Sequence, residues 1–293
     1  MSGSSLNRLS IVPGESALVR AHSRDIADAL WTRLRIEARE ALDRAPMLRA
    51  LFVASILEQP SFEAAAAHRI AVRLGNDPVP ASLLAETFQR AMVADPNIAG
   101  ALRADIIAVI ERDPACERFI EPFLYFKGFH AVQTHRLAHW LWERGERDFA
   151  LYLQSRSSDV FQTDIHPASR FGRGIFLDHA TGLVVGETAV VEDEVSLLQN
   201  VTLGGTGKES GDRHPKVRRG AMIGAGAKIL GNIEIGAGAR VAAGSVVLRA
   251  VEPNATVAGV PAKLVGTASR PDAARNLNQI LSDLSYDTFS YTI

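Results

Sequence analysis

Hydrophobic positions along the chain change their spacing once, near residue 160. Before this point apolar residues recur every three or four positions, which places them on one face of a helix. The first such run is Ile26, Leu30, Leu34, Ala38 and Leu42. Ser61, Pro80 and Asp95 are typical helix-start residues, and Pro96 suits the first turn of a helix. We therefore predict a bundle of about six to eight helices for the first half.

After residue 160 the hydrophobic spacing becomes six. Seven apolar residues keep this interval: Ile165, Phe171, Leu177, Leu183, Ala189, Val195 and Val201. The register then slips by ten residues and resumes at Val217, Ile223, Ile229, Ile235, Val241 and Val247. A six-residue repeat is typical of a parallel β-helix, in which three short strands close a triangular coil of about 18 residues. We predict an N-terminal all-α bundle followed by a left-handed parallel β-helix, with one loop protruding at the slip.

Glycine marks the same division of the chain. Six of the 23 glycines precede residue 160 and 17 follow it, and glycine is unfavourable inside helices. We expect an N-terminal extension over residues 1–24, a helical domain over 25–158, a β-helix domain over 159–266 and a polar, flexible tail over 267–293.

Composition and charge narrow the classes of function. The 32 basic and 33 acidic residues nearly cancel, which gives no support for nucleic-acid binding. Neither a run of about 18 apolar residues nor a secretory signal is apparent, so we expect a cytoplasmic protein without a membrane partner. The single cysteine, Cys116, allows neither an intramolecular disulfide nor a thiolate metal cluster.

His179 is the strongest candidate for acid–base chemistry. A histidine with a carboxylate partner is the minimal general base, because the carboxylate fixes the tautomer and stabilises the imidazolium ion. Asp178 precedes His179 directly, and Asp164 comes slightly less than one full coil before it. Because a coil has about 18 residues, Asp164 and His179 do not stack, and their contact requires either a corner or a neighbouring subunit. The spacing does not decide between the two.

The other histidines are weaker candidates. His214 follows Arg213 on the loop at the register slip, which favours a polar site there. His166 follows an inward residue and is more simply interpreted as a surface histidine. His135 and His139 have the spacing of a zinc-binding pair on one helix face, but the sequence offers no third ligand nearby.

Together these segments resemble the bacterial serine O-acetyltransferases, a family of the hexapeptide-repeat acyltransferase superfamily. The resemblance covers about residues 35 to 266 and is more specific than the repeats alone. It is carried by residues 113–114, 123–131, 164–167, 177–182, 186–188, 212–215 and 258–262.

This resemblance implies transfer of an acetyl group from acetyl-CoA to the hydroxyl of L-serine, the first step of L-cysteine biosynthesis. His179 would be the general base and Asp164 its orienting carboxylate. Serine would be held by Asp113 and Asp178 at its ammonium group, by Arg213 at its carboxylate and by His214. The thioester is already activated, so Cys116 needs no catalytic part.

The resemblance also implies where coenzyme A lies. In this family it occupies a groove along the β-helix between adjacent subunits. Thr206, Ala225 and Ala243 match positions of backbone contact there, and Lys228 and Lys263 are candidate partners for its phosphates. No metal ion is implied.

Further partners follow from the same resemblance. The β-helix would form homotrimers, and the helical domain would pair trimers into hexamers. The terminal Ile293 matches the tail that inserts into O-acetylserine sulfhydrylase, because a terminal carboxylate with one apolar side chain suits an amino-acid site. L-cysteine is expected to compete in the serine pocket as a feedback inhibitor.

Three alternatives stay open on the sequence. The same fold could acetylate another hydroxyl acceptor, such as homoserine or a sugar. A zinc hydratase of the γ-carbonic anhydrase type would need three converging histidines, for which His166, His179 and His214 are the candidates. A scaffold for the sulfhydrylase would need no catalytic cluster at all.

Overall fold

The computed structural model describes residues 13–207, 210–267 and 273–274 of the 293-residue chain, with side chains from residue 29 onward. Eight α-helices lie in this part, which confirms the predicted bundle. They are α1 Pro13–Arg44, α2 Arg49–Phe52, α3 Phe62–Leu74, α4 Ala81–Ala94, α5 Pro96–Arg112, α6 Ile120–Leu124, α7 Lys127–Glu143 and α8 Arg147–Phe161. A π-helical turn, Val53–Leu57, continues α2. Helix α1 begins inside the segment expected to be an N-terminal extension.

The helix starts follow the predicted local chemistry. The Ser61 hydroxyl accepts a hydrogen bond from the backbone N–H of Ala64 at the start of α3, at 3.2 Å. The Asp95 carboxylate accepts one from the N–H of Asn97 at the start of α5, at 3.0 Å. Each side chain satisfies a backbone donor that has no partner within the first turn.

Fifteen strands follow the helices within the described residues. They are β1 Thr163–Ile165, β2 Arg170–Phe171, β3 Phe176–Leu177, β4 Leu183–Val185, β5 Val190–Val191, β6 Ser196–Leu197, β7 Thr202–Gly204, β8 Lys216–Val217, β9 Met222–Ile223, β10 Lys228–Leu230, β11 Glu234–Ile235, β12 Arg240–Val241, β13 Val246–Val247, β14 Ala255–Ala258 and β15 Lys263–Thr267. They form three sheets with the orders β1-β4-β7-β10-β13, β2-β5-β8-β11 and β3-β6-β9-β12-β14-β15. All pairs are parallel except β14 with β15. This confirms the predicted left-handed parallel β-helix.

The coils are not of equal length. Thr163 on the first coil pairs with Leu183 on the second, and Val184 on the second pairs with Thr202 on the third. Thr202 pairs in turn with Lys228 on the fourth coil. Among these three pairs, the number of residues between the partners is smallest for Val184 and Thr202. The first coil therefore carries two extra residues between β3 and β4, and the third carries eight between β7 and β8.

The predicted register was therefore wrong by two residues between 183 and 201. Val185, Val191 and Leu197 stack on the inward residues of the first coil, and Leu203 stacks in turn on Val185. The predicted set, Leu183, Ala189, Val195 and Val201, lies two positions earlier. Both sets are buried, because each six-residue unit points two small or aliphatic side chains inward. The predicted ten-residue slip is the sum of two separate insertions.

The helical bundle and the β-helix share one continuous core. A buried ion pair of the bundle lies at their junction: Arg136 of α7 donates to Asp105 of α5 at 2.7 Å and also to the backbone carbonyl of Gly172 in the first coil at 2.6 Å. The other Asp105 oxygen accepts from the N–H of Ile175 at 2.8 Å. These contacts fix the first coil against α5 and α7. None of the helices in the described part of the chain is both long and apolar enough to span a membrane.

Candidate active site

The two-residue insertion in the first coil forms the corner that carries His179. His179 and Ala180 both have left-handed backbone conformations, with φ of 53° and 63°. Residues other than glycine rarely adopt this region, at a cost of about 1–3 kcal/mol each, and such residues concentrate at functional sites. The corner turns the His179 side chain outward, where 73% of it is exposed.

Three of the predicted site residues meet at this corner. Asp113, Asp178 and His179 line one cavity of about 310 Å³ between α3, α7 and β3. The His179 Nε2 atom lies 3.8 Å from Asp178 Oδ1. Asp113 reaches the cavity from the end of α5, where its Oδ1 accepts a hydrogen bond from the N–H of Ala115 at 2.9 Å.

The two carboxylates of the cavity interact electrostatically. Burial raises the pKa of Asp178, and the neighbouring Asp113 carboxylate raises it further, while His179 opposes both effects. A second carboxylate disfavours ionisation of the first, and a bound cation relieves that cost. The cavity is therefore suited to a cationic group such as an ammonium ion.

Arg213 and His214 lie in a second cluster, at the base of the protruding loop. The backbone N–H groups of both residues donate to the Thr188 hydroxyl oxygen, at 3.0 and 3.1 Å. The Arg213 guanidinium donates to Glu187 Oε2 at 2.8 Å, and this bond lowers the pKa of Glu187. Thr188 and Glu187 thus hold the two loop residues in place.

The ring of His214 has a defined tautomer. Its Nδ1 atom accepts a hydrogen bond from the backbone N–H of Thr188 at 3.2 Å, so the proton of the neutral ring lies on Nε2. Burial and the adjacent Arg213 lower the pKa of His214, which keeps the ring neutral near pH 7. The Nε2–H group is therefore a donor suited to an anionic ligand atom.

Asp164 does not meet His179 within one copy of the chain. It lies on β1, in register with Val184 of β4, and is exposed. Its Oδ1 accepts a hydrogen bond from Gln154 Nε2 at 2.6 Å. Asp164 and His179 both lie in the described part of the chain, and no hydrogen bond or ion pair joins them there. The sequence left two ways for Asp164 to contact His179, a corner of the same chain or a neighbouring subunit. The corner of the same chain does not bring the two residues into contact.

The remaining histidines have structural contacts. His166 packs edge-on against Trp142 with 5.1 Å between ring centroids, and its Nδ1 accepts from the N–H of Ala168 at 3.1 Å. His139 bonds the Pro167 carbonyl at 2.8 Å, while His135 is buried beside it. Among the described residues, no group of three or more His, Cys, Asp or Glu is arranged to hold a metal ion.

Cys116 lies near Asp113 in the sequence but is chemically separate from the cavity. Its side chain is buried, and burial raises the pKa of its thiol to about 12. The thiolate is the nucleophilic form of cysteine, so this thiol is unreactive near neutral pH.

The five residues predicted to contact coenzyme A are spread along the β-helix. Ala225 and Ala243 occupy equivalent corners of successive coils, where the N–H of Gly244 donates to the Ala225 carbonyl at 2.8 Å. Thr206 is exposed at the start of the protruding loop, and Lys263 is exposed at the start of β15. Lys228 already donates to the side chain and the carbonyl of Asn200.

The sequence predicts no role for the individual residues that support the two clusters, although segments 177–182 and 186–188 are among those that carry the resemblance. Lys127 bonds both Gln162 and Thr181 beside the His179 corner, and Thr188 with Glu187 supports the loop. Two left-handed residues in a row have no signature in the hydrophobic pattern. A cavity of about 530 Å³ between α5, α7 and the first coil is lined by none of the predicted site residues.

Family profiles and individual relatives of this chain are serine acetyltransferases or hexapeptide-repeat transferases. The family profile described as "Serine acetyltransferase, N-terminal" matches residues 30–134, and that described as "Bacterial transferase hexapeptide (six repeats)" matches residues 214–249. The serine acetyltransferase of Salmonella typhimurium is 50% identical over 264 residues, which is 90% of this chain and 96% of that protein.

Solved structures show the same similarity. A Brucella abortus serine acetyltransferase in complex with coenzyme A is 62% identical, with a TM-score of 0.82 over 84% of this chain and 98% of that one. A serine acetyltransferase in complex with cysteine is 49% identical, with a TM-score of 0.84 over 88% of this chain and 99% of that one.

Proposed function

The chain belongs to the serine acetyltransferase family, and we propose from this premise that the two clusters described above form the two halves of its active site. The reaction transfers an acetyl group from acetyl-CoA to the hydroxyl of L-serine and yields O-acetyl-L-serine and CoA. The observation that carries the assignment of roles is the meeting of Asp113, Asp178 and His179 in one cavity.

In the proposed mechanism His179 acts as the general base. Its imidazole takes the proton from the serine hydroxyl while that oxygen attacks the thioester carbonyl. The tetrahedral intermediate then breaks its C–S bond, and the departing CoA thiolate takes the proton from the imidazolium ion. Such a base contributes about 10²–10⁴-fold, and orientation of the two substrates supplies much of the rest.

Serine is oriented by charge at both ends. Its ammonium group would lie between Asp113 and Asp178, where it offsets the repulsion that raises the pKa of Asp178. Its carboxylate would accept hydrogen bonds from the Arg213 guanidinium, which is suited to bidentate contact, and from Nε2–H of His214.

These halves belong to different clusters, so we propose that neighbouring copies of the chain complete each site. Asp164, Arg213 and His214 lie outside the cavity that contains His179. Val184, which stacks on Asp164, is an apolar residue 40% exposed on the outer face of its sheet. A cyclic trimer of the β-helix would bring each corner to the next copy's loop. Pairing of trimers through the helical domain stays a prediction.

Acetyl-CoA is the cosubstrate, as the coenzyme A complex of the similar Brucella protein supports. We place it along the stacked corners of Ala225 and Ala243, with Thr206 at one end. Lys228 would have to exchange its bond with Asn200 for a phosphate, and Lys263 is free to approach one from β15.

Three further proposals concern regulation, partners and location. L-cysteine would compete in the serine pocket, which the cysteine complex of a similar enzyme supports. Binding of O-acetylserine sulfhydrylase through Ile293 remains a prediction, and that residue lies outside the described residues. A cytoplasmic location also remains a prediction, in keeping with the free thiol of Cys116.

The alternatives are less well supported. Homoserine or sugar acetylation is not favoured by the family to which the chain belongs. A zinc hydratase, for which His166, His179 and His214 are the candidate ligands, is not favoured by that family either. A pure scaffold leaves the Asp113–Asp178–His179 cavity unexplained.

The decisive experiment measures CoA release by purified protein with acetyl-CoA and a panel of L-serine, homoserine and sugars. We expect a clear preference for L-serine and O-acetyl-L-serine as the product. His179→Ala should lower turnover by at least about 10², and near-normal turnover would refute its role as base. Equal rates with all acceptors would overturn the substrate assignment.

A further inference from the structure

Lys127 has no favourable local role at its position in the sequence. It is the first residue of α7, where a cation meets the positive end of the helix dipole. The preceding residue, Phe126, supplies no side-chain cap. A lysine that is locally unfavourable and half-buried therefore points to a contact made elsewhere in the fold.

Lys127 contacts the end of helix α8 on one side and the first coil of the β-helix on the other, where the two domains meet. The Lys127 ammonium donates to Gln162 Oε1 at 3.0 Å and to the Thr181 hydroxyl. Gln162 ends α8 in a left-handed conformation, with φ of 60°. Its carbonyl accepts from the N–H of Gly182 at 2.8 Å. Lys127 thus joins the end of α8 to the residue that follows the left-handed pair His179–Ala180.

The first turn of α7 also touches the other side of the corner. A Cβ atom on Gly128 would overlap the Leu177 carbonyl oxygen, so the helix backbone lies directly on β3 one residue before Asp178. Together Gly128 and Lys127 hold residues 177 and 181, between which His179 is carried. The corner is fixed at both ends by one helix terminus.

We propose that Lys127 is a positioning residue for acetyl transfer: its ammonium group fastens Thr181 to Gln162 and so holds the left-handed corner that presents His179 to the substrate. The inference rests on the proposed role of His179. Lys127 itself transfers no proton, and its effect is on the placement of the base. Displacement of a catalytic group by about 1 Å can cost up to about 10² in rate.

The test uses two pairs of substitutions in the full-length protein. Lys127→Met and Thr181→Val remove the contact, whereas Lys127→Arg and Thr181→Ser keep a donor and an acceptor. We expect each of the first pair to lower kcat about 10-fold, with KM for acetyl-CoA unchanged, and each of the second pair to retain most of kcat. The double variant Lys127→Met/Thr181→Val should lose no more than either single variant, because the two share one contact.

A second readout does not depend on activity. Hydrogen exchange of the backbone amides over residues 178–183 should be faster in Lys127→Met than in the wild type, because this segment loses an anchor. Arg39→Met, an exposed substitution on α1, serves as the control and should change neither readout.

The outcomes separate this inference from the proposed function. Unchanged kcat or unchanged exchange in Lys127→Met would overturn the positioning role. Additive losses in the double variant would also overturn it, as would equal losses in Thr181→Ser and Thr181→Val. A wild-type protein that forms no O-acetyl-L-serine would instead refute the proposed function, while the exchange comparison would still report on the contact.

Discussion

The hydroxyl oxygen of Thr188 lies 2.9 Å from Nδ1 of His214. The same oxygen accepts the backbone N–H groups of Arg213 and His214, so one side chain sets the position of both loop residues proposed to bind the serine carboxylate. Thr188 belongs to the second coil, and the pair belongs to the insertion in the third. This hydroxyl group and the Glu187 carboxylate, which accepts from the Arg213 guanidinium, hold the loop at its base.

Replacement of Thr188 by valine tests this dependence. Thr188→Val leaves two backbone donors without an acceptor, and each such loss costs about 1–3 kcal/mol when buried. We expect KM for serine to rise at least about 10-fold, with a smaller change in KM for acetyl-CoA. Thr188→Ser keeps the hydroxyl and should restore most of the affinity. Similar KM values for the valine and serine variants would contradict the assigned role.

Gly186 gives a steric test of the same pocket. The His214 ring lies so close to the Gly186 backbone that an added Cβ would overlap it. Gly186→Ala should displace the ring and weaken serine binding, seen as a higher KM for serine. Gly266→Ala is the control, since a Cβ there meets no atom within 4 Å. Wild-type KM in Gly186→Ala would show that the ring position is not needed.

Sharing of the site between copies can be tested by mixing two inactive variants. His179→Ala retains Arg213, and Arg213→Ala retains His179. In randomly mixed trimers about one interface in four would carry both intact residues, so co-expression should restore about one quarter of wild-type turnover. Separate sites within each copy would give no recovery above the two parent variants.

The approach of α7 to the first coil predicts opposite effects for two glycine substitutions. Alanine normally stabilises a helix by about 0.5–1 kcal/mol relative to glycine. Gly100→Ala, at an exposed position of α5, should show this gain because its Cβ has open space. Gly128→Ala places a methyl group against the Leu177 carbonyl and should destabilise by about 1–3 kcal/mol. Urea unfolding of both variants checks the difference in sign, and a gain at Gly128 would contradict the contact.

The pH dependence of stability should reflect His130. Burial lowers the pKa of this histidine to about 3, and its Nε2 lies 2.7 Å from the Phe123 carbonyl, whereas its Nδ1 lies 2.8 Å from Arg73. As the pH falls below about 6.5, the unfolded chain binds a proton that the folded chain does not. Stability is therefore lost with falling pH, by about 2 kcal/mol between pH 6.5 and 5.

His130→Gln should remove this contribution, and the free energy of unfolding measured at several pH values checks it. The pH dependence of the unfolding free energy that remains in the variant would come from His135, His166 and His214, because burial also lowers the pKa values of these histidines. An unchanged slope in the variant would mean that His130 takes up its proton without unfolding.

The sequence by itself determined the architecture, because helix and β-helix periods are local properties of the chain. Helical spacing before residue 160 and an interval of six after it separate the bundle from the coils, and caps such as Ser61 and Asp95 locate helix starts. The family resemblance likewise depends on short segments such as residues 177–182. The structure that these short segments adopt locally can be predicted without knowing which distant residues pack against them.

Only the tertiary structure decided how the site is assembled. The two-residue insertion before β4 escaped the hydrophobic pattern, because Leu183 and Val185 are both apolar and buried. The contacts of Lys127 with Thr181 and of Thr188 with His214 join residues 54 and 26 positions apart. Such contacts depend on how helix α7 lies on the first coil and how the loop folds back on the second. A one-dimensional pattern records which side chains face inward, but not which distant backbone segments they hold together.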